Sequence, residues 1–376
     1  ISIYCGIGAR EAHDDIITLA AKLKAPIGYS FRGKMGMQYD NPYEIGMTGL
    51  LGVPSAYHAM HESDVILLLG TDFPYDKFMP VDNKIIQVDE KAERLGRRAK
   101  LELGLKGKIT DTIKALLPLI EETADKDFLN AQLHLYKKVK ENLLTYVKDS
   151  GKDNLISPEY VASTINDLAS EDAIFTVDTG MCCVWGARYI ESTGKRIMLG
   201  SFNHGSMANA MPMAIGASLC YPGRQVIAFC GDGGLSMLLG DLATIQQYHL
   251  PIKLIVFNNR SLGMVKLEME VQGLPDNETD MVNPDFAMVA QAMGFKGITV
   301  NRPDDVLHSV KEALAHNGPV LVNVMTNPQA LAMPPKIEWE QMKGYALSMS
   351  KMILGGHMDE ALDMIKSNYK HLGELI

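Results

Sequence analysis

Short apolar runs and amphipathic stretches alternate along the chain from its first residues. Ile1–Cys5 predicts a strand, and Glu11–Leu23 predicts a helix with Ile16, Leu19, Ala20 and Leu23 on one face. Asp64–Leu69 and Lys84–Val88 are continuous apolar runs of strand length, the pattern of strands buried on both faces of a parallel sheet. Periodicity predicts helices over Ile109–Ile120 and Phe128–Val147, and the polar run Lys148–Asp153 predicts an interdomain linker. Ser157 followed by Pro158 marks a helix start. A second alternating block follows, with strands expected at Ala173–Val177, Gln225–Phe229, Ile252–Phe257 and Val320–Val324. Its helices are expected at Leu235–Tyr248, Pro284–Met293 and Pro303–His316. Both blocks, residues 1–148 and 154–330, predict open parallel-sheet α/β domains of the doubly wound, Rossmann-like kind.

Beyond Asn327 the alternation stops, and Pro334-Pro335 ends regular structure. Residues 331–376 predict a C-terminal tail with two helical pieces, Tyr345–Ile353 and Asp359–Ile376, split by Gly355-Gly356. In the second piece Met358, Ala361, Leu362, Ile365, Tyr369 and Leu372 form an amphipathic stripe. Such a stripe either docks on the body or a partner subunit, or lies at a membrane surface.

At 376 residues the chain has room for two cores, and 47% hydrophobic with 22% charged residues excludes disorder and collagen-like structure. With 36 basic against 45 acidic residues the net charge is −9, which argues against nucleic acid as a partner. Apolar runs such as Val65–Leu69 are too short to span a bilayer. The five cysteines are an odd number without metal spacing, and predict reduced thiols in a cytoplasmic protein. The chain opens in a strand-like run without an initiating Met, so it is expected to be part of something longer that lacks N-terminal material. A trimmed but complete protein is the alternative.

The chemistry concentrates in Gln225–Val265. One predicted strand runs into Cys230-Gly231-Asp232-Gly233-Gly234, and the next ends in Asn258-Asn259. Both ends fall at the carboxyl edge of a parallel sheet, where such folds place ligands. A carboxylate, an amide oxygen and backbone carbonyls are hard ligands suited to Mg²⁺. Glycines let the backbone approach a phosphate closely, and helix starts offer free N–H groups. Gly-Asp-Gly alone is also a turn; its spacing to Asn-Asn, with each after an apolar strand, is the specific signal.

That pair resembles the diphosphate-binding motif of thiamine-diphosphate-dependent enzymes. The resemblance implies that Asp232, Asn259 and the backbone carbonyl of Ser261 ligate Mg²⁺. It places Gly205, Ser206 and Met207 against the cofactor, and Gly233, Gly234, Leu262, Gly263, Met264 and Val265 along the diphosphate. By alignment of Gly205-Ser206-Met207, Met207 is the wedge that bends the cofactor, or else a core methionine. His204 is either a substrate or cofactor contact or a structural histidine. Asp178, in Asp178-Thr179-Gly180, is either a diphosphate contact or a helix cap.

Over nearly its whole length the chain also resembles bacterial pyruvate oxidase, in particular the quinone-reducing form. Phe31-Arg32-Gly33-Lys34, Asp40-Asn41-Pro42-Tyr43, Met47–Gly52, Thr71–Tyr75, Ser201–Pro212 and the tail carry that likeness. It implies that residues 1–148 form an FAD-binding central domain and 154–330 the diphosphate-binding domain. The pyrimidine-binding domain, with the Glu that activates the cofactor, has no counterpart here. FAD is expected against Leu50, Leu51, Gly52, Val53, Phe73, Pro74, Tyr75, Asp76 and Lys77, with Asp89 placed like a ribose-binding acid. Gly6-Ile7-Gly8 lacks a third glycine and is either part of that site or a turn. Lys91-Ala92 replaces the Asp-Pro or Asn-Pro common in the family, and Met264 stands where pyruvate oxidases often carry Phe and acetolactate synthases carry Met. The implied activity is oxidative decarboxylation of pyruvate to acetate and CO₂, with electrons passed to a membrane quinone. The enzyme would be a homo-oligomer, dimer or tetramer, held at the inner face of the cell membrane by its C-terminal helix. Acetolactate synthase-like carboligation, and a cofactor-binding module without turnover, stay open.

Overall fold

The computed structural model describes residues 1–73, 75–148, 155–330, 339–354 and 362. Six strands form one parallel sheet: β1 (Ser2–Cys5), β2 (Ile27–Tyr29), β3 (Glu44–Met47), β4 (Val65–Leu69), β5 (Lys84–Asp89) and β6 (Leu103–Lys106). Their order is β3-β2-β1-β4-β5-β6. A second parallel sheet holds β7 (Ile174–Val177), β8 (Ile197–Gly200), β9 (Val226–Gly231), β10 (Lys253–Asn258), β11 (Lys296–Val300) and β12 (Val320–Met325), in the order β11-β12-β10-β9-β7-β8. Both are open, doubly wound α/β sheets. The winding direction of the first sheet reverses between β1 and β4; that of the second reverses between β7 and β9, and again where β12 returns to lie between β10 and β11. These reversals leave a crevice at the carboxyl ends of the strands.

The cores follow from the two-residue repeat of a strand. Ile227, Phe229, Ile255 and Phe257 pack on one face of the second sheet. Val226, Ala228, Leu254 and Val256 pack on the other. Likewise Ile3, Leu67 and Leu69 lie on one face of the first sheet, and Tyr4, Ile66 and Leu68 on the other. Full burial of side chains this size contributes roughly 1.5–3 kcal/mol each, which is why these strands need no polar face.

The expected helices form with three changes. Glu11–Leu23 is a 3₁₀ turn over Ile7–Ala12 followed by an α-helix over His13–Leu23. Ile109–Ile120 is α-helical only to Leu116, and Pro118 lies in the 3₁₀ turn that ends it. Leu235–Tyr248 is not one helix. Asp232–Met237 and Leu242–Gln247 are separated by a 3₁₀ turn at Leu239–Asp241, where Gly240 weakens helical continuity. Ser157 caps Pro158–Leu168 as expected, its side chain accepting from Tyr160 N.

Side chains at the helix end Met181–Tyr189 tie the two sheets together. Arg188 donates through Nε to Leu51 O (3.4 Å) and through Nη2 to Gly52 O (3.2 Å). Lys34 Nζ, buried, donates to Ala187 O, and burial pushes its pKa down to about 8. Ser192 Oγ donates to Met35 O (2.8 Å).

The linker residues 149–154, Pro334-Pro335 and Gly355-Gly356 lie outside the described residues, as does the 358–372 stripe apart from Leu362. The first tail helix is present as Trp339–Leu354. It docks on Gly263–Val271 through Met349 and Met352 against Leu267. Ser348 Oγ donates to Leu274 O (3.1 Å) and Lys351 Nζ to Gly273 O (2.8 Å). No helix among the described residues is long and apolar enough to cross a membrane.

Candidate active site

The crevice beside β7 and β9 is a cleft of ≈ 240 Å³ lined by the ends of four strands. Thr179 and Gly180 follow β7, Gly231–Gly234 end and follow β9, Asn259 and Ser261–Val265 follow β10, and Thr326 and Asn327 follow β12. Gly205 and Met207 close one side. The residues of the Gly-Asp-Gly and Asn-Asn motifs therefore meet in space, as their spacing predicted.

Asp232 is the charged group of this cleft and only 2% exposed. Its Oδ1 accepts from Gly233 N (3.0 Å) and its Oδ2 from Asn283 Nδ2 (2.7 Å). Burial pushes its carboxyl pKa up, and the hydrogen bonds from Asn283 and nearby backbone N–H groups pull it back. Asn259 Oδ1 accepts from Ser261 N (3.1 Å), which folds the segment after β10 back toward the cleft. Ser261 bridges to Asp280, and its Oγ is a buried oxygen without a hydrogen-bond partner.

The glycines are spatial requirements. A β-carbon on Gly233 would meet Leu262 Cδ2 at 2.9 Å and Met207 Cε at 3.3 Å. One on Gly263 would meet Asn259 Nδ2 at 2.9 Å. The backbone of the cradle is thus bare, and the helix Gly263–Val271 begins at it with free N–H groups. Ala208 (φ +64°) and Arg260 (φ +54°) hold left-handed conformations beside the cleft, strain that non-glycine residues seldom carry.

The residues present fit a metal-chelated diphosphate. A buried carboxylate, an amide side chain and a glycine cradle converge on one cleft, and a paired carboxylate that is still desolvated gains from a divalent cation.

Several expected contacts fall elsewhere. Ser206 does not line the cleft; its carbonyl accepts from Asn209 Nδ2 (2.8 Å), and so it shapes the turn that presents Met207. His204 is exposed and is not among the residues lining the cleft. Asp178 is neither a lining residue nor a cap, because Gly180 occupies the N-cap of Met181–Tyr189 with no side-chain hydrogen bond. Asp178 Oδ1 instead accepts from Asn209 N (2.9 Å), Asn209 Nδ2 (3.1 Å) and Thr179 N (3.1 Å). Burial pushes its pKa up to about 6 against the pull of these donors. Met207 is 36% exposed, so it is a cleft wall rather than a core residue. Cys182 also lines the cleft, but burial pushes its thiol pKa well up, away from a nucleophilic thiolate.

Asn283 is the site residue that sequence reading missed. It lies in a loop 51 positions from Asp232. The buried Asn258, which ends an apolar strand and needs polar partners, was the one signal; its Oδ1 accepts from Asn283 Nδ2 (3.0 Å).

In the first sheet the expected loops gather at the carboxyl edge. Leu50–Val53 follows β3, Phe73 and Tyr75–Lys77 follow β4, and Asp89 ends β5. Pro74 lies outside the described residues. A β-carbon on Gly49 would meet the Tyr75 ring at 3.0 Å, and Phe73 and Tyr75 pack edge to face at 5.7 Å. Asp89 Oδ1 accepts from Lys91 N (2.9 Å), while the buried Oδ2 has no hydrogen bond and lies 3.9 Å from Arg94 Nη1. A nearly buried acid with one oxygen left over suits a hydroxyl-bearing ligand. Gly6-Ile7-Gly8 is a packing turn: Gly6 N donates to Leu69 O (2.9 Å) and Gly8 N to Gly70 O (3.1 Å), so neither N–H is free for phosphate.

Two doubly wound domains, one with a glycine-cradled carboxylate at its switch point, define an α/β protein of the cofactor-binding kind. The comparisons with known proteins name the group: the chain belongs to the thiamine pyrophosphate enzyme family. Residues 1–116 match the central domain of thiamine pyrophosphate enzymes, and residues 178–324 match their C-terminal TPP binding domain. A putative thiamine pyrophosphate-containing protein of Bacillus subtilis is 33% identical over 369 residues, 97% of this chain and 63% of its own length. A probable acetolactate synthase large subunit of Methanocaldococcus jannaschii is 28% identical over 346 residues, 88% of this chain and 58% of its own. A pyruvate oxidase of Lactiplantibacillus plantarum is 29% identical over 334 residues, 86% of this chain and 54% of its own. The chain thus spans little more than half to about three-fifths of the length of these relatives.

Proposed function

We propose that the chain forms the flavin-binding and diphosphate-binding part of a pyruvate oxidase that converts pyruvate to acetate and CO₂ with thiamine diphosphate, Mg²⁺ and FAD. The observation that carries this reading is the buried Asp232 carboxylate, held beside Asn259 in a glycine cradle at the β7/β9 switch point. When bound, thiamine diphosphate supplies an electron sink for loss of CO₂, and FAD accepts the electron pair.

The chain's own residues bind and orient. Asp232, Asn259 and the Ser261 carbonyl would hold Mg²⁺ against the diphosphate. Gly233, Gly234 and the start of Gly263–Val271 would cradle its oxygens. Met207, Leu262, Met264 and Val265 give the cleft apolar walls that exclude water. Leu50–Val53, Phe73, Tyr75 and Asp89 would hold FAD, with Arg188 fixing the first of these loops to the diphosphate domain.

Met207 and Val265 line the cleft yet are 36% and 47% exposed. That exposure supports closure of the cleft by a further domain, a pyrimidine-binding domain carried by a longer, full-length subunit of a homo-oligomer. Transfer of electrons to a quinone at the membrane surface rests on the resemblance of the tail.

One observation favours a second reading. Met264 lines the cleft in the position where acetolactate synthases carry Met, and such synthases are among the relatives. Anaerobic addition of pyruvate to the chain loaded with FAD, thiamine diphosphate and Mg²⁺ separates the two, with and without an added pyrimidine-binding domain. The oxidase predicts flavin bleaching, one flavin per pyruvate, only when that domain is present. Acetolactate formation with the flavin left oxidised would establish the synthase reading. Bleaching by the chain alone would refute the need for a further domain.

A further inference from the structure

We propose that Asn283 is a positioning residue for the metal site: it sets the orientation of the Asp232 carboxylate without neutralising its charge. The inference rests on the reading of Asp232 as a metal ligand. Asn283 Nδ2 donates to Asp232 Oδ2 (2.7 Å) and to Asn258 Oδ1 (3.0 Å). Both of its amide hydrogens are therefore used, and it cannot turn without losing two bonds. Asn258 Nδ2 in turn donates to Asn323 Oδ1 (3.0 Å). Asn323 Nδ2 is within 3.5 Å of Asp285 Oδ1, and that oxygen also accepts from Ala287 N (2.9 Å) to cap the helix Phe286–Ala292. A line of amides thus runs from the end of β9, across β10 and β12, to a helix cap. Asn258 and Asn323 are each only 2% exposed, so water cannot replace these bonds cheaply.

The terminal torsion of an aspartate is broad and nearly two-fold, so packing alone holds it poorly. Asp232 is clamped at two points, Oδ1 by Gly233 N and Oδ2 by Asn283. A lysine or arginine in place of Asn283 would also orient the carboxylate, but its positive charge would compete with a divalent cation. A neutral amide orients and leaves the charge available. Partners behind a metal ligand generally matter at the level of about 10–100-fold in affinity.

Two substitutions separate donation from packing: Asn283→Leu keeps the volume and removes the donor, and Asn283→Ala removes both. Mg²⁺ is titrated calorimetrically into the 376-residue chain at saturating thiamine diphosphate, and the melting temperature is measured in EDTA. We expect both variants to need about 10–100-fold more Mg²⁺ for half-saturation, while thermal stability in EDTA falls less for Leu than for Ala. Mg²⁺ affinity within twofold of wild type in the Leu variant would overturn the proposal. So would affinity that tracks melting temperature across both variants, since that is what a packing role predicts. If Asn283→Leu does not fold, the Ala variant is compared with Asn323→Ala, which breaks the line further away and should weaken Mg²⁺ less. Equal weakening by those two would also overturn it. Absence of Mg²⁺-dependent binding in the wild-type chain would instead strike at the assignment of Asp232.

Discussion

Asp232→Ala should abolish Mg²⁺-dependent binding of thiamine diphosphate, weakening it by more than about 100-fold. Groups that merely support a metal ligand account for about 10–100-fold, and Asp232 would be the ligand itself and, among the described residues, the one charged residue lining the cleft. Its loss also strands Asn283 Nδ2 and Gly233 N, which now donate to it. Stability without cofactor should change much less than binding does. The desolvated carboxylate, already pushed toward protonation by burial, is a cost to the cofactor-free fold that alanine removes. Calorimetry of the variant with and without Mg²⁺ checks this, and near-wild-type affinity would remove the metal-site assignment.

Gly234→Ala should be strongly damaging, destabilising the chain by about 3 kcal/mol. The added β-carbon would collide with Asp178 Oδ2 and lie 3.2 Å from Ala208 N. Asp178 cannot step aside, because its other oxygen is held by Asn209 and Thr179. The displacement would pass directly to the Gly205–Met207 wall and to the cradle. Gly216→Ala is the control: nothing lies within 4 Å of that β-carbon, and in the helix Ala210–Cys220 alanine is the better helix former. Melting curves of the two variants should differ by many degrees, with Gly216→Ala at or above wild type. Equal melting temperatures would show that the loop after β9 can give way, contrary to the packing described.

The parts of this fold that could be read from the sequence are those where burial imposes a repeating pattern. Val65–Leu69, Val226–Gly231 and Lys253–Asn258 are central strands covered on both faces, and their apolar runs gave them away. The edge strand Leu103–Lys106 is exposed along its whole length and carries a glycine, so it offers no such run. Ile197–Gly200, at the other sheet's edge, is apolar but only four residues long and half-buried, too short to stand out as a strand. Ile27–Tyr29 is central but only three residues long.

The site divides the same way. Asp232, Asn259 and the glycines were legible because they follow strands at a fixed spacing. Asp178 and Asn283 were not, because their roles depend on which loops the sheet order brings side by side. Asp178 braces Gly234 across the β7/β9 crevice, and Asn283 reaches Asp232 from the loop ahead of Phe286–Ala292. Neither adjacency exists along the chain.

Titration of thiamine diphosphate into the wild-type chain, in Mg²⁺ and then in EDTA, bears most directly on the cleft at β7 and β9. One molecule should bind per chain in Mg²⁺, and EDTA should abolish the heat of binding. Binding that is indifferent to the metal, or none at saturating Mg²⁺, would contradict the reading of Asp232 and Asn259 as a metal-diphosphate site.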